Sequence, residues 1–113
     1  MNTDIGNAMR IISEWMKAKN VNAELNLSGI GLKQLPPVPP GVKKLNISNN
    51  DLTELRLLPP SLEELNCSNN KISKISFLPP KLKVLNCSNN ALAVYPNVGE
   101  APNKYFMRLI TSK

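Results

Sequence analysis

Histidine is absent from the chain, and its absence limits the chemistry that the protein can perform. None of the 113 residues is His, so the commonest general base and the commonest metal ligand of proteins are missing. Ser-His-Asp and Cys-His constellations are therefore excluded. The neighbouring acids Glu63 and Glu64 are more simply explained as solvent-facing residues than as a catalytic pair. The glycines at residues 28–32, "SGIGL", are not followed by the Lys-Ser/Thr pair of a phosphate loop. We expect no enzymatic activity and no cofactor.

Long apolar runs and cysteine-rich motifs are missing as well. No apolar stretch approaches the length that a bilayer-spanning helix needs, and residues 1–15 lack the uninterrupted apolar region of a secretion signal. The two cysteines, Cys67 and Cys87, have no further Cys or His with which to form a zinc site. Free thiols are the expectation in a chain without a secretion signal. The sequence thus predicts one soluble domain with no metal and no membrane insertion.

Basic residues outnumber acidic ones, with 14 Lys and Arg against 8 Asp and Glu and a formal net charge of +6. They are spread along the chain and mixed with acids, whereas nucleic-acid binding typically uses a dense patch or stripe. A basic scaffold that binds nucleic acid or an anionic surface is therefore the alternative, not the main prediction. Its contacts would come from Lys71, Lys74, Lys81 and Lys83.

What the sequence has in abundance is repetition. The word "LNCSNN" stands at residues 65–70 and again at 85–90, and a shift of 20 residues aligns most of the chain with itself. A fixed period in this range is typical of stacked-repeat proteins, in which one unit cannot bury its apolar side alone. The units begin at Leu25, Leu45, Leu65 and Leu85.

The unit itself predicts a local structure. Alternation around Leu45 and Ile47 predicts a short strand with one face inward, stacked in parallel on the next copy about 4.8 Å away. A recurring asparagine at the turn after each strand is expected to be buried and to bind backbone groups of neighbouring turns, which need partners. Pro-Pro pairs beginning at Pro39, Pro59 and Pro79 predict an extended return path with no room for a helix. The turn asparagines are Asn50, Asn70 and Asn90, and Leu55, Leu58, Ile75 and Leu78 should fill the remaining core.

Each end of such a stack needs a cap. Near the N-terminus, the helical spacing of Ile5, Met9, Ile12 and Met16 predicts an amphipathic capping helix. A partner-binding or membrane-surface helix is the alternative. The predicted division is an N-terminal cap over 1–21, repeats over 22–98 and a C-terminal cap over 99–113.

The pattern decays toward the C-terminus. Tyr105 and Met107 stand where the period places the counterparts of Leu85 and Cys87, which predicts a degenerate last strand. A short helix after Pro102 is the alternative. With the strand, Phe106 would take a place that asparagine holds in the earlier units.

One face of the predicted sheet should be exposed, with equivalent residues in rows. Asparagines form one row, serines a parallel row, and charges of alternating sign a third. The simplest interpretation is that adjacent strands satisfy each other's side chains, and a ligand site is the alternative. The rows are Asn26, Asn46, Asn66 and Asn86; Ser28, Ser48, Ser68 and Ser88; and Glu24, Lys44, Glu64, Val84 and Lys104.

Two surfaces are candidates for binding a partner. On the outer side, Leu57 and Phe77 occupy the same place in successive units, beside the core residues Leu58 and Leu78, and would form an exposed apolar patch unless the turn folds them under. The sheet face carries varied residues around the uniform Asn and Ser rows, and aromatic residues and arginines are common binding hot spots. The candidate partner-binding residues are Lys43, Lys44, Arg56, Leu57, Glu63, Glu64, Phe77, Lys83, Val84 and Phe106.

The stretches "LNLSGIGLKQLPPVPPGVKKLNISNNDL", "LPPSLEELNCSNN" and "LPPKLKVLNCSNN" resemble the leucine-rich repeat family. They are most similar to the short 20-residue repeats of bacterial effectors of the YopM and IpaH ubiquitin ligase types, over about residues 4–100. The resemblance implies a small α/β repeat solenoid, with short parallel strands, an extended Pro-rich outer side and an N-terminal capping helix.

The sequence also departs from that pattern. Proline follows the loop leucine or its counterpart only at Pro36 and Pro96, and Arg56 and Ser76 replace it between them. There is no room for a ligase domain and no plausible catalytic cysteine, because Cys67 and Cys87 replace core aliphatic residues. Caps at both ends favour a complete miniature protein over a piece of a longer one.

The resemblance implies a non-catalytic protein-protein recognition module. We expect an effector-like protein, or an inhibitor encoded by a phage or mobile element, that binds a host or target protein in the cytoplasm, its own or that of a host. A homodimeric assembly unit is a further alternative.

Overall fold

The computed structural model describes residues 3–75, 78–92 and 108–111. In this part of the chain one helix is followed by a succession of two- and three-residue strands. The elements are α1 (Thr3–Ala18), β1 (Leu25–Asn26), β2 (Lys44–Asn46), β3 (Glu54–Leu55), β4 (Glu64–Asn66), β5 (Lys74–Ile75), β6 (Val84–Asn86) and β7 (Arg108–Ile110).

Five of the strands form one parallel sheet in the order β1-β2-β4-β6-β7. Leu25 pairs with Leu45, Leu45 with Leu65, and Leu65 with Leu85, so each repeat supplies one rung in the 20-residue register. No strand of two or three residues is stable alone, but stacking joins them through backbone hydrogen bonds and one shared core. The predicted leucine-rich solenoid is confirmed.

The core is a column of aliphatic side chains behind the sheet. Leu45, Leu65 and Leu85 are at most 2% exposed, and the alternation along each strand turns the residues on either side toward the opposite face. Cys67 and Cys87 take the inward position that Ile47 holds one repeat earlier and are fully buried. Leu55 is also buried, and Leu58, Ile75 and Leu78 pack against the core, as predicted.

A second, two-stranded sheet on the return path was not predicted. β3 and β5 pair in parallel, with Glu54 opposite Lys74 and Leu55 opposite Ile75. The prolines do make the return path extended. Because extended segments of successive repeats lie side by side, their N–H and C=O groups pair where no proline interrupts them.

The turn after each strand holds a left-handed residue, which the sequence analysis also missed. Asn49, Asn69 and Asn89 have φ angles of 56°, 56° and 55°, and Gly29 has 65° at the same position of the first repeat. Glycine and asparagine are the residues that adopt this conformation at least cost. The occurrence of Gly in the first repeat and Asn in the later ones at the same position could therefore have indicated the left-handed turn from the sequence.

Helix α1 covers the N-terminal end of the sheet and contacts β1. Ala8 and Ile12 are buried, and the Trp15 indole N–H donates to the Ala23 carbonyl at 3.0 Å. The predicted apolar face was wrong in part, because Met9 and Met16 are 48% and 55% exposed. The buried stripe is centred on Ala8 and Ile12, which turns both methionines to its edge.

The register predicted for the last strand was wrong. Leu109, not Tyr105, pairs with Leu85, and Ile110 lies opposite Asn86, so the final step is four residues longer than the repeat. Leu109 stands in register with the leucines of the other rungs, and Ile110 takes the place next to Asn86 that the period assigned to Phe106. Arg108 takes the register position predicted for Lys104.

Candidate recognition surface

The strands are held by a ladder of asparagines on the buried side of each turn. The Asn50 amide nitrogen donates to the carbonyls of Leu27, Ile47 and Ser48 at 3.0, 3.0 and 3.1 Å. Its oxygen accepts the Ile30 and Leu32 N–H groups. Asn70 and Asn90 repeat the pattern one and two rungs further on. This confirms the predicted role and ties the turns after β2, β4 and β6 to the preceding repeat.

The exposed side of the five-stranded sheet, here called the open face, carries a second set of asparagines. Asn46 and Asn66 alternate with the buried leucines, so their side chains lie opposite the core. The Asn66 side-chain oxygen accepts both the backbone N–H and the hydroxyl of Ser68, at 3.1 and 2.7 Å. The same pair of bonds joins Asn26 to Ser28, Asn46 to Ser48 and Asn86 to Ser88.

These contacts correct two expectations about the rows. The Asn and Ser side chains satisfy each other within one turn, two residues apart, whereas the sequence analysis placed the contacts between adjacent strands. Ser48, Ser68 and Ser88 are also buried, with 5%, 6% and 8% exposure, because the hydroxyl folds back onto the asparagine. Of these two rows, the asparagines therefore provide most of the polar surface of the open face, and we call them the amide row: Asn26, Asn46, Asn66 and Asn86.

Charged residues flank the amide row. Lys44 and Glu64 are exposed, pair in register across adjacent strands and are followed by the half-buried Val84. Lys43, Glu63 and Lys83 come immediately before β2, β4 and β6, and we call these three residues the rim of the open face. Within that rim the Lys83 ammonium lies 3.6 Å from a Glu63 carboxylate oxygen.

The outer side carries a groove lined partly by Lys33, Leu35, Val38, Arg56 and Leu57. Leu57 is 93% exposed, which agrees with the outward orientation considered in the sequence analysis, and its φ of 54° is uncommon for a leucine. Arg56 is also exposed and forms an ion pair with Glu54.

The structure places the described candidate residues in two groups. Lys43, Lys44, Glu63, Glu64, Lys83 and Val84 belong to the open face and its rim, while Arg56 and Leu57 belong to the outer groove. Phe77 and Phe106 lie outside the described residues. Ile110, a half-buried residue at the end of the amide row, was missed because the longer last step hid it from the period.

The two thiols are chemically quiet. Burial, together with the nearby Cys87 thiol, raises the pKa of Cys67 from 9.0 to about 12, and burial also raises the pKa of Cys87. The Cys67 thiol donates to the Asn86 carbonyl at 3.4 Å. Both groups are therefore protonated at neutral pH, and the thiolate is the nucleophile in alkylation and disulfide exchange.

We expect neither cysteine to react with a thiol reagent at pH 8 until the protein unfolds. Iodoacetamide labelling followed by mass spectrometry should show that both cysteines are labelled at the rate of global unfolding. Urea should increase the two labelling rates together. Because the folded thiols hold their protons longer than the unfolded ones, stability should be unaffected by them near pH 7 and should fall as the pH rises from 9.0 toward about 12. Fast labelling of Cys67 in the folded protein would contradict this assignment.

Neither a metal site nor a membrane span is found in the part of the chain that the structure describes. No cluster of three or more His, Cys, Asp or Glu side chains in residues 3–75, 78–92 and 108–111 could hold a metal ion. No helix among those residues is long and apolar enough to cross a bilayer.

Comparison with known proteins gives a consistent result. The family model described as leucine-rich repeats (2 copies) matches residues 40–80 and 60–98. A search of curated proteins found no match.

Two solved structures are similar to the chain. The structure of YopM from Yersinia enterocolitica WA-314 is 32% identical, with a TM-score of 0.82 over 94% of this chain and 23% of that one. A Shigella effector LRR domain is 24% identical, with a TM-score of 0.72 over 95% of this chain and 55% of that one, which shows the fold alone. This chain thus spans about a quarter of the first relative and about half of the second. With its stacked strands, asparagine ladder and matching family model, the chain belongs to the leucine-rich repeat family.

Proposed function

We propose that the protein is a non-catalytic protein-recognition module that binds its partner through the open face. The single observation that carries this proposal is the contrast between a uniform frame and varied side chains. The Asn and Ser hydrogen bonds repeat on the first four rungs, whereas the flanking position changes from Lys44 to Glu64 to Val84. A rigid surface of this kind binds with little loss of conformational entropy.

The similarity to bacterial effector repeats supports a partner protein in the cytoplasm of a host cell. It also supports a target protein that this module inhibits by binding in the cytoplasm. Both relatives are longer than this chain, so their partners are not assigned to it. A mixed-sign face also favours a protein over a nucleic acid, because Lys44 stands between Glu24 and Glu64 and is not part of a continuous basic patch.

The outer groove is a second candidate contact surface. A leucine that is 93% exposed at a φ of 54° contributes little to folding, and Gly or Asn would adopt that backbone more readily. An apolar anchor for a partner would account for its presence. Lys33 and Arg56 at the groove would add charged contacts.

Charge reversal on the open face tests the proposal. Tagged wild type and a Lys44→Glu, Glu64→Lys, Val84→Asp variant would be used to capture proteins from lysates of the source and of its hosts. We expect one partner to be retained by wild type at about 0.15 M salt and to be lost in the variant, because both the charge order and an apolar contact are removed.

Leu57→Asp is the matched control, since it changes an exposed residue on the outer side. Loss of the partner in this variant alone would move the interface to the outer groove. Capture that disappears for wild type and both variants as salt is raised, and that brings down nucleic acid, would overturn the proposal in favour of the basic-scaffold alternative. A mass that rises with protein concentration and is unaffected by lysate would favour a homodimer.

A further inference from the structure

The amide row has a chemical polarity that its amino-acid composition does not reveal. An amide oxygen has two lone pairs, and the oxygens of Asn46 and Asn66 use both, for the N–H and the hydroxyl of the serine two residues later. Asn26 and Asn86 make the same two bonds. The oxygen of each of these side chains is therefore saturated.

The nitrogens of the same amides differ from the oxygens. Within residues 3–75, 78–92 and 108–111, the Nδ2 groups of the amide row make no hydrogen bond, whereas the Nδ2 groups of the asparagine ladder make three each. The serine contacts also fix the amide orientation, because a flipped amide would place N–H groups against the serine N–H. The row thus presents only donors, at intervals of one strand spacing, about 4.8 Å.

A donor-only row selects among ligands. In a face-to-face copy whose rows coincide, amide nitrogens would meet amide nitrogens, so the row does not complement itself. It fits a ligand that supplies acceptors only, and the ionised carboxylate is the side chain with that property and with the strongest hydrogen bonds. The charges of the open face do not by themselves select a carboxylate ligand, because Glu24 and Glu64 flank Lys44.

The two ends of the row differ in chemistry. At the first end Asn26 is flanked by the exposed Glu24, and Lys44 lies beside Asn46 on the second rung. At the other end, Ile110 follows Asn86 in register, and the neighbouring Val84 is uncharged and half-buried. A ligand segment would therefore meet amide donors along the row, the Lys44 cation at the second rung and an apolar corner at the Ile110 end.

We propose that the amide row binds a segment of the partner protein that carries Asp or Glu side chains next to an apolar residue. This inference rests on the proposed function of the open face and names the chemistry that this face recognises. The carboxylates would accept from Nδ2 of Asn46, Asn66 and Asn86, and the apolar residue would cover Val84 and Ile110.

Asparagine-to-aspartate substitution separates binding from folding at these positions. In an Asn46→Asp, Asn66→Asp variant the carboxylate can still accept both serine bonds, so the fold keeps its contacts, but the free donors are replaced by acceptors. The probe is a fluorescent ten-residue peptide of seven glutamates followed by three leucine or valine residues. We expect the variant to bind it at least about tenfold more weakly, since each lost charge-assisted hydrogen bond is worth about 1.5–3 kcal/mol.

Two controls isolate the amide donors from simple repulsion. A Ser73→Asp, Thr53→Asp variant adds the same two charges on the outer side and should bind within about twofold of wild type. In NMR titrations of the wild type, the side-chain NH2 signals of the amide row should shift saturably with the peptide, while those of Asn50, Asn70 and Asn90 stay in place.

Other outcomes overturn the inference. Equal binding of a peptide with glutamine in place of glutamate would show that carboxylates are not selected. Peptide binding that leaves the four NH2 signals unmoved would place the site elsewhere. Tighter binding of a single-stranded oligonucleotide of equal charge would assign the face to nucleic acid. If no peptide binds while the charge-reversal variant of the open face still loses its captured partner, the proposed function stands and the acidic ligand falls.

Discussion

Asn70→Asp is expected to lower the free energy of unfolding by about 3 kcal/mol or more, which is a large part of the stability of a small domain. The Asn70 amide nitrogen donates to the carbonyls of Ile47, Cys67 and Ser68 at 3.0, 3.1 and 3.1 Å. An aspartate at this position would turn a second oxygen toward those three oxygens and leave them without a donor.

Urea unfolding followed by circular dichroism measures this loss. Asn66→Asp is the matched control, because it is the same substitution four positions earlier in the same repeated word. It should change the free energy by less than about 0.5 kcal/mol, as expected for a surface substitution that breaks no contact. Equal losses in the two variants would contradict the roles assigned to the two amides.

The loss at Asn70 should also depend on pH. The introduced carboxyl faces carbonyl oxygens, so burial and the surrounding dipoles favour its protonated form and raise its folded pKa above the unfolded value of about 3.9. Below that value the protonated group can donate one of the lost hydrogen bonds. The variant should therefore regain part of its stability relative to wild type near pH 3, whereas a loss independent of pH would indicate a packing defect.

Leu65→Ala is expected to cost about 3 kcal/mol, within the usual range of about 2–5 kcal/mol for deleting a buried leucine. Leu65 is 1% exposed and lies on the middle rung, with Leu45 and Leu85 on either side in register. A cavity there weakens both interfaces between neighbouring repeats. In a stacked protein stability is approximately the sum of such interfaces.

The control for this substitution is Leu57→Ala. Leu57 is a leucine of the same chain but is 93% exposed, so its truncation should change the free energy of unfolding by no more than about 0.5 kcal/mol. Thermal and urea unfolding of the two variants measure the contrast. A comparable loss at Leu57 would show that the outer groove is closed over this side chain in solution.

The three asparagines of "LNCSNN" show how far a sequence can be interpreted. Its period of 20 residues predicts that Asn66, Asn69 and Asn70 recur, and a buried ladder was predicted for Asn70. The left-handed turn at Asn69 and the donor polarity of Asn66 were not predicted. Both depend on the backbone path of the turn, which brings Ser68 under Asn66 and cannot be inferred from residue type.

The ends of the solenoid show the same limit. The helix pattern predicted an N-terminal cap, but burial of Ala8 in preference to Met9 depends on how closely the helix approaches β1. At the other end, the period predicted Tyr105 for the last rung. The structure places Leu109 there, because the final step along the chain is four residues longer than the repeat and a fixed period does not contain that insertion.

By itself, the sequence determined the architecture of this protein. Leucines and asparagines at a fixed period can be buried together only when the repeats stack on one another. The paired prolines exclude helices from the return path. Only the tertiary structure decided which surfaces the stack presents. Those surfaces depend on turn geometry and register, which set the direction of each amide, join the open face to Ile110 and leave Leu57 in solvent. These directions come from contacts between repeats, and no single repeat contains them.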